Sequence, residues 1–482
     1  MLAIFHTLGL TMALFSVSFI APVLAAIVYR DGMLGTFVAA GLATAAFGLA
    51  VAALTRPFRR ELKARDGFAL VVLTWLGMCV SAAFALFFAL PRLDFAGAFF
   101  EATSGITTTG ATVLVGLDNL APSIHIWRHT LHLLGGLGII VLAVAILPLL
   151  GVGGMQLYKA ETPGPMKDEK LTPRITETAK RLWVTYASLT VIAILSLHLA
   201  GMSWLDAICN AFSAMSTGGF STHDASIGYY KSPLIEALLI VFMIAACLNF
   251  ARHFLVARRI SLQPHWQDPE TRAVLVLLAS SILLITVLLI GSDTYPHPLV
   301  ALRHAAFSVV SIATTTGFVT EDYERWPIFA PVFMLFLGCI TAGTGSTGGG
   351  IKMFRTLVLW RQSMRELKLL VHPSAVLPVR IGGQVIQERV AASVLAFIFL
   401  YFATIAAFTF ALLLTGLSLP TAFSASVACV NSIGPGLEVV GPSGNFAHFD
   451  TVQLLLCSSA MLLGRLEIFT VLLLFTPTFW RR

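Results

Sequence analysis

The chain has 482 residues, of which 57% are hydrophobic and 11% charged, and its mean hydropathy is +0.86. Soluble proteins carry about a quarter charged residues, so this composition excludes an ordinary soluble multidomain protein. The net charge is +7, but the basic residues lie mostly in short segments between apolar stretches, which indicates membrane orientation rather than nucleic-acid binding. We therefore predict an all-α protein that crosses the membrane several times.

The basic segments set the predicted orientation. Most Lys and Arg residues fall in residues 56–66, 159–181, 252–272 and 352–389 and at the C-terminal Arg481 and Arg482. By the positive-inside rule these loops face the cytoplasm, which puts both termini there. The six cysteines lie singly in apolar segments, so neither a disulfide framework nor a zinc site is predicted.

The chain begins with two apolar segments, residues 2–29 and 34–55, each long enough to span a bilayer. The first segment lacks a basic start, which favours a retained helix over a cleaved signal peptide. Residues 1–60 are therefore predicted to form an N-terminal helix pair.

The rest of the chain repeats one unit four times. Each unit has a long apolar segment, a segment of about 10–15 apolar residues that is too short to span, a polar turn and a returning apolar segment. A period of about one hundred residues indicates internal duplication. The predicted units are residues 61–158, 159–260, 261–360 and 361–482.

The four polar turns read "TTTGAT", "MSTGGF", "TTTGFV" and "NSIGPG", at residues 107–112, 215–220, 314–319 and 431–436. We align them on Gly110, Gly218, Gly317 and Gly434. The short segments before them carry helix-start signals, such as Ser203 with Asp206, Pro298, and Ser418 with Pro420. They are predicted to be half-helices.

Irregular polar backbone cannot face lipid, because each unpaired N–H or C=O group costs several kcal/mol there. Four such turns at one depth are expected to converge on a common axis. A ring of backbone carbonyls can replace the hydration shell of a monovalent cation, and glycine allows the dihedral angles that aim them inward. The half-helices would point their negative ends at the same centre. The alternative of four re-entrant loops that merely pack stays open.

The repeated helix–half-helix–helix pattern, the extra N-terminal pair and the stretches "STGGFSTHDAS", "NSIGPG" and "GRLEIF" resemble the bacterial TrkH/TrkG potassium-uptake family, relatives of KtrB. The resemblance covers essentially the whole chain. It implies four tandem repeats around a pseudo-four-fold pore that carries K⁺ across the bacterial inner membrane, without a cofactor on this chain. It also implies a homodimer and a cytosolic nucleotide-binding regulatory subunit, TrkA-like.

By matching motif positions, the resemblance implies four filter strands with K⁺-binding oxygens. Their residues are Thr108, Thr109 and Gly110; Ser216, Thr217 and Gly218; Thr315, Thr316 and Gly317; and Ser432, Ile433 and Gly434. None of the four reads TVGYG, and "SIGPG" departs furthest. Four different strands are expected to select K⁺ less strictly, which leaves sodium permeation open.

A break is predicted in the third returning segment, "GCITAGTGSTGGGIK", residues 338–352. The five glycines of residues 343–350 oppose a helix by roughly 5 kcal/mol in total. The spacing of Gly345 and Gly350 is that of a nucleotide-binding loop, but Ile351 and Lys352 stand where Lys and Ser or Thr are needed. We interpret the stretch as a loop that closes the path below the turns.

Arg465 is the second outlier, because a charge inside an apolar helix costs about 2.5–3.5 kcal/mol. The resemblance supports the hypothesis that Arg465 donates to carbonyls of residues 343–350 and holds the loop closed; pairing with an acid is the alternative. The candidate gate residues are Gly343, Gly345, Gly348, Gly349, Gly350, Lys352 and Arg465.

Three further sequence features each allow two interpretations. His125, His129 and His132 share one helical face and could bind a metal or satisfy loop carbonyls. Basic residues 159–181 and 352–389 could dock a regulator or only set topology. Acids after the turns could concentrate cations or be ordinary solvated loop residues; they are Asp118, Asp224, Glu321, Asp322, Glu324 and Glu438.

Two other functions compete with a pore. A secondary transporter coupling K⁺ to Na⁺ or H⁺ needs carboxylates buried at mid-membrane, and only Glu467 is identified as one. An intramembrane enzyme is disfavoured, because the chain has neither H-E-x-x-H nor a plausible G-x-S-x-G elbow. Potassium uptake through a gated pore is the leading prediction.

Overall fold

The computed structural model describes residues 2–60, 62, 64–138 and 175–480, and these residues are almost entirely helical. Six of their helices are long and apolar enough to cross a membrane, or eight if two sharply bent helix pairs each count as one span. The strands found in this part of the chain are the short antiparallel pair β1 (Arg380–Ile381) and β2 (Gln384–Val385).

The N-terminal pair has the predicted bounds. Helix α1 (Leu2–Phe15) continues through a 3₁₀ turn, Ser16–Phe19, into α2 (Ile20–Tyr29), and α3 (Leu34–Thr55) returns. The backbones of α1 and α3 touch where Gly9 meets Gly48, because a Cβ on Gly48 would lie 2.5 Å from the Ala13 nitrogen. Such small-residue contacts are how helices pack closely in lipid.

Each of the four units starts with a long outgoing helix and a half-helix. The outgoing helices are α4 (Ala64–Ala89), α7 (Ile175–Leu199), α12 (Pro269–Gly291) and α16 (Glu388–Leu414). The half-helices are α5 (Phe95–Ile106), α8 (Trp204–Ser216), α13 (Pro298–Ala313) and α17 (Leu419–Asn431). The predicted caps are present: the hydroxyls of Ser203 and Ser418 accept the amides of Asp206 and Thr421.

The return helices complete the units, and the chain departs from a straight helix after each of them. They are α6 (Pro122–Leu133), α9 (Pro233–Cys247), α14 (Phe329–Ile340) and α18 (Thr451–Arg465). After α6 the backbone is non-helical at Gly136. After α9 the chain turns by 105° into α10 (Phe250–Arg259), and after α18 it turns by 112° into α19 (Ile468–Leu474). After α14, residues 341–352 form an irregular segment, the glycine loop, before α15 (Met353–Val371).

Two predicted cytoplasmic loops are in fact partly helical. Residues 252–272 contain most of α10 and the short α11 (Gln263–Gln267), and residues 352–389 contain α15 and the β1–β2 hairpin. Both α10 and α15 are rich in basic residues. A helix that is partly exposed to solvent can have the same composition as a loop, so the sequence did not distinguish the two. Most of residues 159–181, and the predicted boundary at 158/159, lie outside the described residues; the other unit boundaries stay predictions.

Aromatic packing joins the N-terminal pair to the first unit. Phe19 stacks on Trp127 of α6 with ring centroids 4.2 Å apart, and both side chains are buried. Phe37 of α3 lies against the same indole. Trp127 therefore anchors the two additional helices to the helix behind the first polar turn. The last helix, α20 (Pro477–Trp480), ends the described chain.

We expect Gly48→Ala to destabilise the protein, because the added methyl would overlap the backbone of α1. Overpacked sites of this kind cost about 1–3 kcal/mol. The midpoint of thermal unfolding of the detergent-purified protein measures the effect. Gly35→Ala, in the first turn of the same helix with open space around it, is the control and should not lower the midpoint. Equal midpoints for the two variants would contradict the close α1–α3 contact.

Candidate ion-conduction site

The four half-helices end in the same backbone conformation. In each turn one residue with a left-handed backbone is followed two positions later by a glycine with φ between 81° and 96°. The left-handed residues are Thr108, Thr217, Thr315 and Ser432, and the glycines are Gly110, Gly219, Gly317 and Gly434. The amide between them always returns to the half-helix, as from Thr109 N to Ser104 O at 2.9 Å and from Gly218 N to Ser213 O at 2.8 Å.

This repeated geometry corrects the alignment of the second turn by one residue. Gly219, with φ 82°, occupies the position of Gly110, and the second strand is Thr217, Gly218 and Gly219. Ser216 is the last residue of its half-helix, and its hydroxyl donates to Phe212 O. The second turn has two adjacent glycines, so residue types alone cannot tell which one adopts the left-handed backbone. The predicted strand, Ser216–Thr217–Gly218, is one residue too early.

The four turns close into a ring. A Cβ built on each glycine would collide with a carbonyl oxygen of the next turn, and the fourth glycine meets the first turn. The distances are 2.1 Å from Gly110 to Gly218 O, 2.1 Å from Gly219 to Thr316 O, 2.0 Å from Gly317 to Ile433 O, and 2.8 Å from Gly434 to Thr109 O. The turns therefore surround one axis, and both the dihedral angle and the lack of space require glycine.

Hydroxyl oxygens lie at the inner end of this ring. With the corrected register the first residue of every strand carries a hydroxyl. The Thr108 and Ser432 hydroxyls are buried and have no hydrogen-bond partner among the described residues, whereas Thr315 Oγ1 accepts Gly349 N–H at 3.1 Å. A buried hydroxyl without a partner is costly, and oxygen atoms are the ligands that alkali cations take in proteins.

Outside the ring lies a cavity of about 90 Å³, lined by the four glycines and by the post-turn residues His223 and Asp224. Asp224 Oδ1 accepts the amides of Gly116 and Leu117 at 3.1 Å. A hydrogen bond from His223 lowers the pKa of Asp118. This carboxyl is therefore protonated only at lower pH than usual and keeps its negative charge beside the entrance.

The other predicted outer acids have partners of their own. Asp322 pairs with Arg325 at 3.1 Å and Glu321 with His304 at 3.8 Å. The hydroxyls of Ser418 and Thr421 lower the pKa of Glu438, while burial raises the pKa of Glu324. Of the six acids, Asp224 is the one that lines the outer cavity.

The glycine loop crosses beneath the ring and touches three of the units directly. Thr347 Oγ1 donates to Met215 O at 3.2 Å, and Gly349 N–H donates to Thr315 Oγ1 at 3.1 Å. A Cβ on Gly349 would lie 2.1 Å from Asn431 O. The loop thus lies against the C-terminal ends of the second and fourth half-helices and against the third turn.

Arg465 connects the loop to the first unit. Its Nη1 donates to Thr347 O at 2.7 Å, and its Nη2 donates to Gly135 O at 2.6 Å and Gly136 O at 3.2 Å. The donation to a loop carbonyl is the contact expected from the sequence, while its role in gating stays a prediction. Glu467 binds Arg355 at 2.8 Å. Lys352, at the end of the loop with φ 71°, lines a cavity of about 50 Å³ together with Arg465 and Glu467.

Sequence reasoning missed several buried carboxylates, and two of them lie next to the turns and the glycine loop. Glu101 lies in the middle of α5, is completely buried and binds Arg128 of α6. Glu270 accepts Thr344 N at 2.7 Å and Phe354 N at 3.0 Å, so it holds both ends of the glycine loop. Glu467 is therefore not the only candidate for a carboxylate buried among the helices. The signal for Glu101 was a lone charge within the apolar stretch "FAGAFFEATSGI".

The histidine face satisfies loop carbonyls. His125 Nε2 lies 3.0 Å from Leu117 O, and His129 Nε2 lies 3.2 Å from Phe220 O. His132 stacks on Phe220. In the part of the chain that is described, no group of three or more metal-ligating side chains is placed to hold a metal ion.

Comparison with known proteins identifies the family. Residues 34–482 match TrkH, cation transport protein. The chain belongs to the TrkH family. It is 46% identical over 480 residues to the Trk system potassium uptake protein TrkH of Salmonella typhimurium, with 99% of each chain covered. It is 39% identical to the Trk system potassium uptake protein TrkG of Escherichia coli, over 99% of this chain and 98% of the relative.

The fold of this TrkH-family chain agrees with a solved structure. It superimposes on the crystal structure of the potassium transporter TrkH from Vibrio parahaemolyticus with a TM-score of 0.90 and 42% identity, covering 100% of this chain and 99% of that one. The predicted fold class is therefore confirmed. Membership in a family of transport proteins also agrees with the expectation that the chain is not an enzyme.

We expect Gly219→Ala to abolish cation uptake, because the methyl would collide with Thr316 O in the neighbouring turn. Gly116→Ala is the matched control, since Gly116 also has a left-handed backbone (φ 76°) but open space around it. The Gly116→Ala variant is destabilised only by the left-handed backbone, which costs a residue with a Cβ about 1–2 kcal/mol. Rubidium uptake by cells that express each variant at equal levels measures the difference. Uptake by Gly219→Ala that equals that of the control would contradict the ring geometry.

Proposed function

We propose that the chain is the potassium-translocating subunit of a Trk-type uptake system in a bacterial inner membrane. The single observation that carries the proposal is the closed ring, in which each of Gly110, Gly219, Gly317 and Gly434 lies against a carbonyl oxygen of the adjacent turn. The relatives named as potassium uptake proteins supply the ion.

The ring can act as a selectivity filter without side-chain charge. Carbonyl oxygens of the four turns replace the water around a K⁺ ion, and the cost of dehydration is offset by several dipoles at once. The hydroxyls of Thr108, Thr217, Thr315 and Ser432 supply oxygens at the inner end. The half-helices direct their negative ends to the same centre. The strands differ in sequence, so we expect a preference for K⁺ over Na⁺ that is weaker than in a four-fold symmetric filter.

The glycine loop and Arg465 form the proposed gate. Arg465 bridges Thr347 in the loop and the Gly135 carbonyl of the first unit, so the loop cannot leave the axis until these bonds break. Hydrogen bonds to a charged group contribute about 1.5–3 kcal/mol each. Helix α15 follows the loop directly, and Met353 N–H donates to Ala342 O across it at 2.8 Å. A cytosolic TrkA-like subunit that moves α15 would therefore move the loop.

Regulation and assembly follow the same proposal. Helix α15 and the β1–β2 hairpin belong to the basic residues 352–389, which are exposed for docking of a soluble nucleotide-binding subunit. The nucleotide would then lie on that subunit, and this chain carries no cofactor. The homodimer implied by the family resemblance is part of the proposal.

Purified protein in proteoliposomes should take up rubidium down a gradient, and Gly317→Ser should lower the preference for Rb⁺ over Na⁺. The serine would have to adopt φ 81° within 2.0 Å of Ile433 O, so it would displace a filter carbonyl. Gly383→Ser is the control, because Gly383 has φ 83° but no neighbour within 4 Å. An unchanged ion preference in Gly317→Ser would remove this residue from the filter.

The same vesicles distinguish a pore from a coupled transporter. We expect the current to reverse at the potassium equilibrium potential when the sodium or proton gradient is changed. A reversal potential that follows the proton gradient, or that follows the sodium gradient by more than Na⁺ permeation through the pore explains, would support coupled transport.

We expect Arg465→Ala to raise rubidium flux in the absence of the cytosolic subunit, because the loop loses its bridge to the first unit. The loss of two or three charge-assisted hydrogen bonds would shift the closed–open equilibrium by a factor of at least about ten. Arg325→Ala, an exposed outer arginine, is the control. If flux and its dependence on the partner were the same as in the wild type, the gating role of Arg465 would be wrong.

A further inference from the structure

A buried ion pair lies behind the first two polar turns. Glu101 belongs to the half-helix α5 and Arg128 to the return helix α6, and their side chains are 0% and 1% exposed. Arg128 Nε donates to Glu101 Oε1 at 2.8 Å, and Nη2 donates to the same oxygen at 2.7 Å. Two charges withdrawn from water this completely are costly unless their remaining hydrogen-bonding groups are also used.

The remaining groups of the pair bind the backbone of both turns. In the first turn, Glu101 accepts Thr112 Oγ1 and Val113 N–H, each at 3.0 Å. In the second turn, Arg128 Nη1 donates to Ser221 O at 3.4 Å, and its guanidinium covers the Phe220 ring at 4.1 Å. Thr112 and Ser221 each lie two residues after the ring glycine of their turn. The pair therefore connects the outer ends of two neighbouring filter strands.

In the other turns, side-chain hydrogen bonds add to the backbone bonds that return to each half-helix. Thr222 Oγ1 donates to Asp206 at 2.6 Å, and Ser311 Oγ donates to Phe318 O at 2.6 Å. In the fourth turn, Leu437 N–H donates to Ser424 Oγ at 2.9 Å. Each of these contacts stays within one unit. The second and third units are joined by Val319 N–H, which donates to Ser226 Oγ at 3.2 Å, whereas the first and second units are joined behind their turns by the buried Glu101–Arg128 ion pair.

We propose that Glu101 and Arg128 are positioning residues that set the cation selectivity of the ring. Glu101 is completely buried and Arg128 lines the outer cavity beside the ring glycines, so their proposed role is to position the strands rather than to bind the ion. Together they fix the distance between the first two strands, and hence between the carbonyls of Thr109 and Gly218 next to the axis. This inference rests on the proposed filter. A ring held open to the size of K⁺ cannot contract around the smaller Na⁺, so loss of the pair should admit Na⁺.

The charge of the pair and its geometry can be separated by substitution. Arg128→Lys keeps the positive charge but loses the planar fork that reaches Glu101, Thr112 and Ser221 together. Glu101→Gln keeps the shape but leaves a buried, unpaired arginine. The double variant Glu101→Gln/Arg128→Met removes both charges at similar volume, so it buries no lone charge.

A matched control exists at another half-helix. Arg303 of α13 binds Glu236 of α9 through two bonds of 2.6 and 2.7 Å. In the described part of the chain this pair makes no hydrogen bond to a polar turn. Glu236→Gln therefore breaks an ion pair between a half-helix and a return helix without releasing a filter strand.

The experiment measures rubidium uptake into proteoliposomes at increasing sodium concentrations. We expect Arg128→Lys and the double variant to be inhibited by Na⁺ at concentrations at least about tenfold lower than the wild type, which corresponds to loss of one charge-assisted contact. The maximal rate of uptake at saturating Rb⁺ should change by a smaller factor than the inhibiting Na⁺ concentration does. Glu236→Gln should be inhibited at the same Na⁺ concentration as the wild type.

Three outcomes decide the question. If Na⁺ inhibits Arg128→Lys and the double variant at the same concentration as the wild type, the inference is overturned. It is also overturned if the inhibiting Na⁺ concentration falls equally in Glu236→Gln. If Arg128→Lys does not fold, the double variant alone decides by the same criterion. Absence of rubidium uptake by the wild type would instead contradict the proposed function, so the two failures are distinguishable.

Discussion

The structure depends on the rule that polar backbone without internal partners must not face lipid. Each unit interrupts its helices with a turn whose amides and carbonyls cannot all be paired locally. The four turns meet each other, and each ring glycine leaves room for a carbonyl of its neighbour. The same contacts that hide the backbone from lipid place oxygens around an axis, so the stability of the fold and the proposed passage of ions have one physical origin.

The four units share this geometry but not their side chains. The second strand has two adjacent glycines, and the fourth has isoleucine where the first and third have threonine. The elements below the ring differ more. After α9 and α18 the chain bends sharply, after α6 it deforms at Gly136, and after α14 it forms a loop of twelve residues. A duplicated unit has thus supplied a symmetric ring above and one asymmetric glycine loop beneath it.

Much of the fold could be predicted from sequence because length and hydropathy are strong signals in membranes. The N-terminal pair, the half-helices and the break between Ile340 and Met353 all followed from segment length, caps and glycine content. The register of the second turn did not, because only the dihedral angles distinguish Gly218 from Gly219. Helices α10 and α15 were missed as half-solvated basic segments. Glu101 was missed because its partner, Arg128, lies on another helix 27 positions along the chain, and sequence alone does not show that the two side chains meet.

The bond network around Arg465 also constrains the order of assembly. The arginine comes from the last unit, and two of its acceptors, Gly135 and Gly136, come from the first; likewise the fourth turn completes the ring by packing on the first. Units are inserted from the N-terminus onward during synthesis. A nascent chain therefore has neither a closed ring nor the Arg465 bridge until its last unit packs on the first. In the proposed function, the passage and its barrier arise together at this last step.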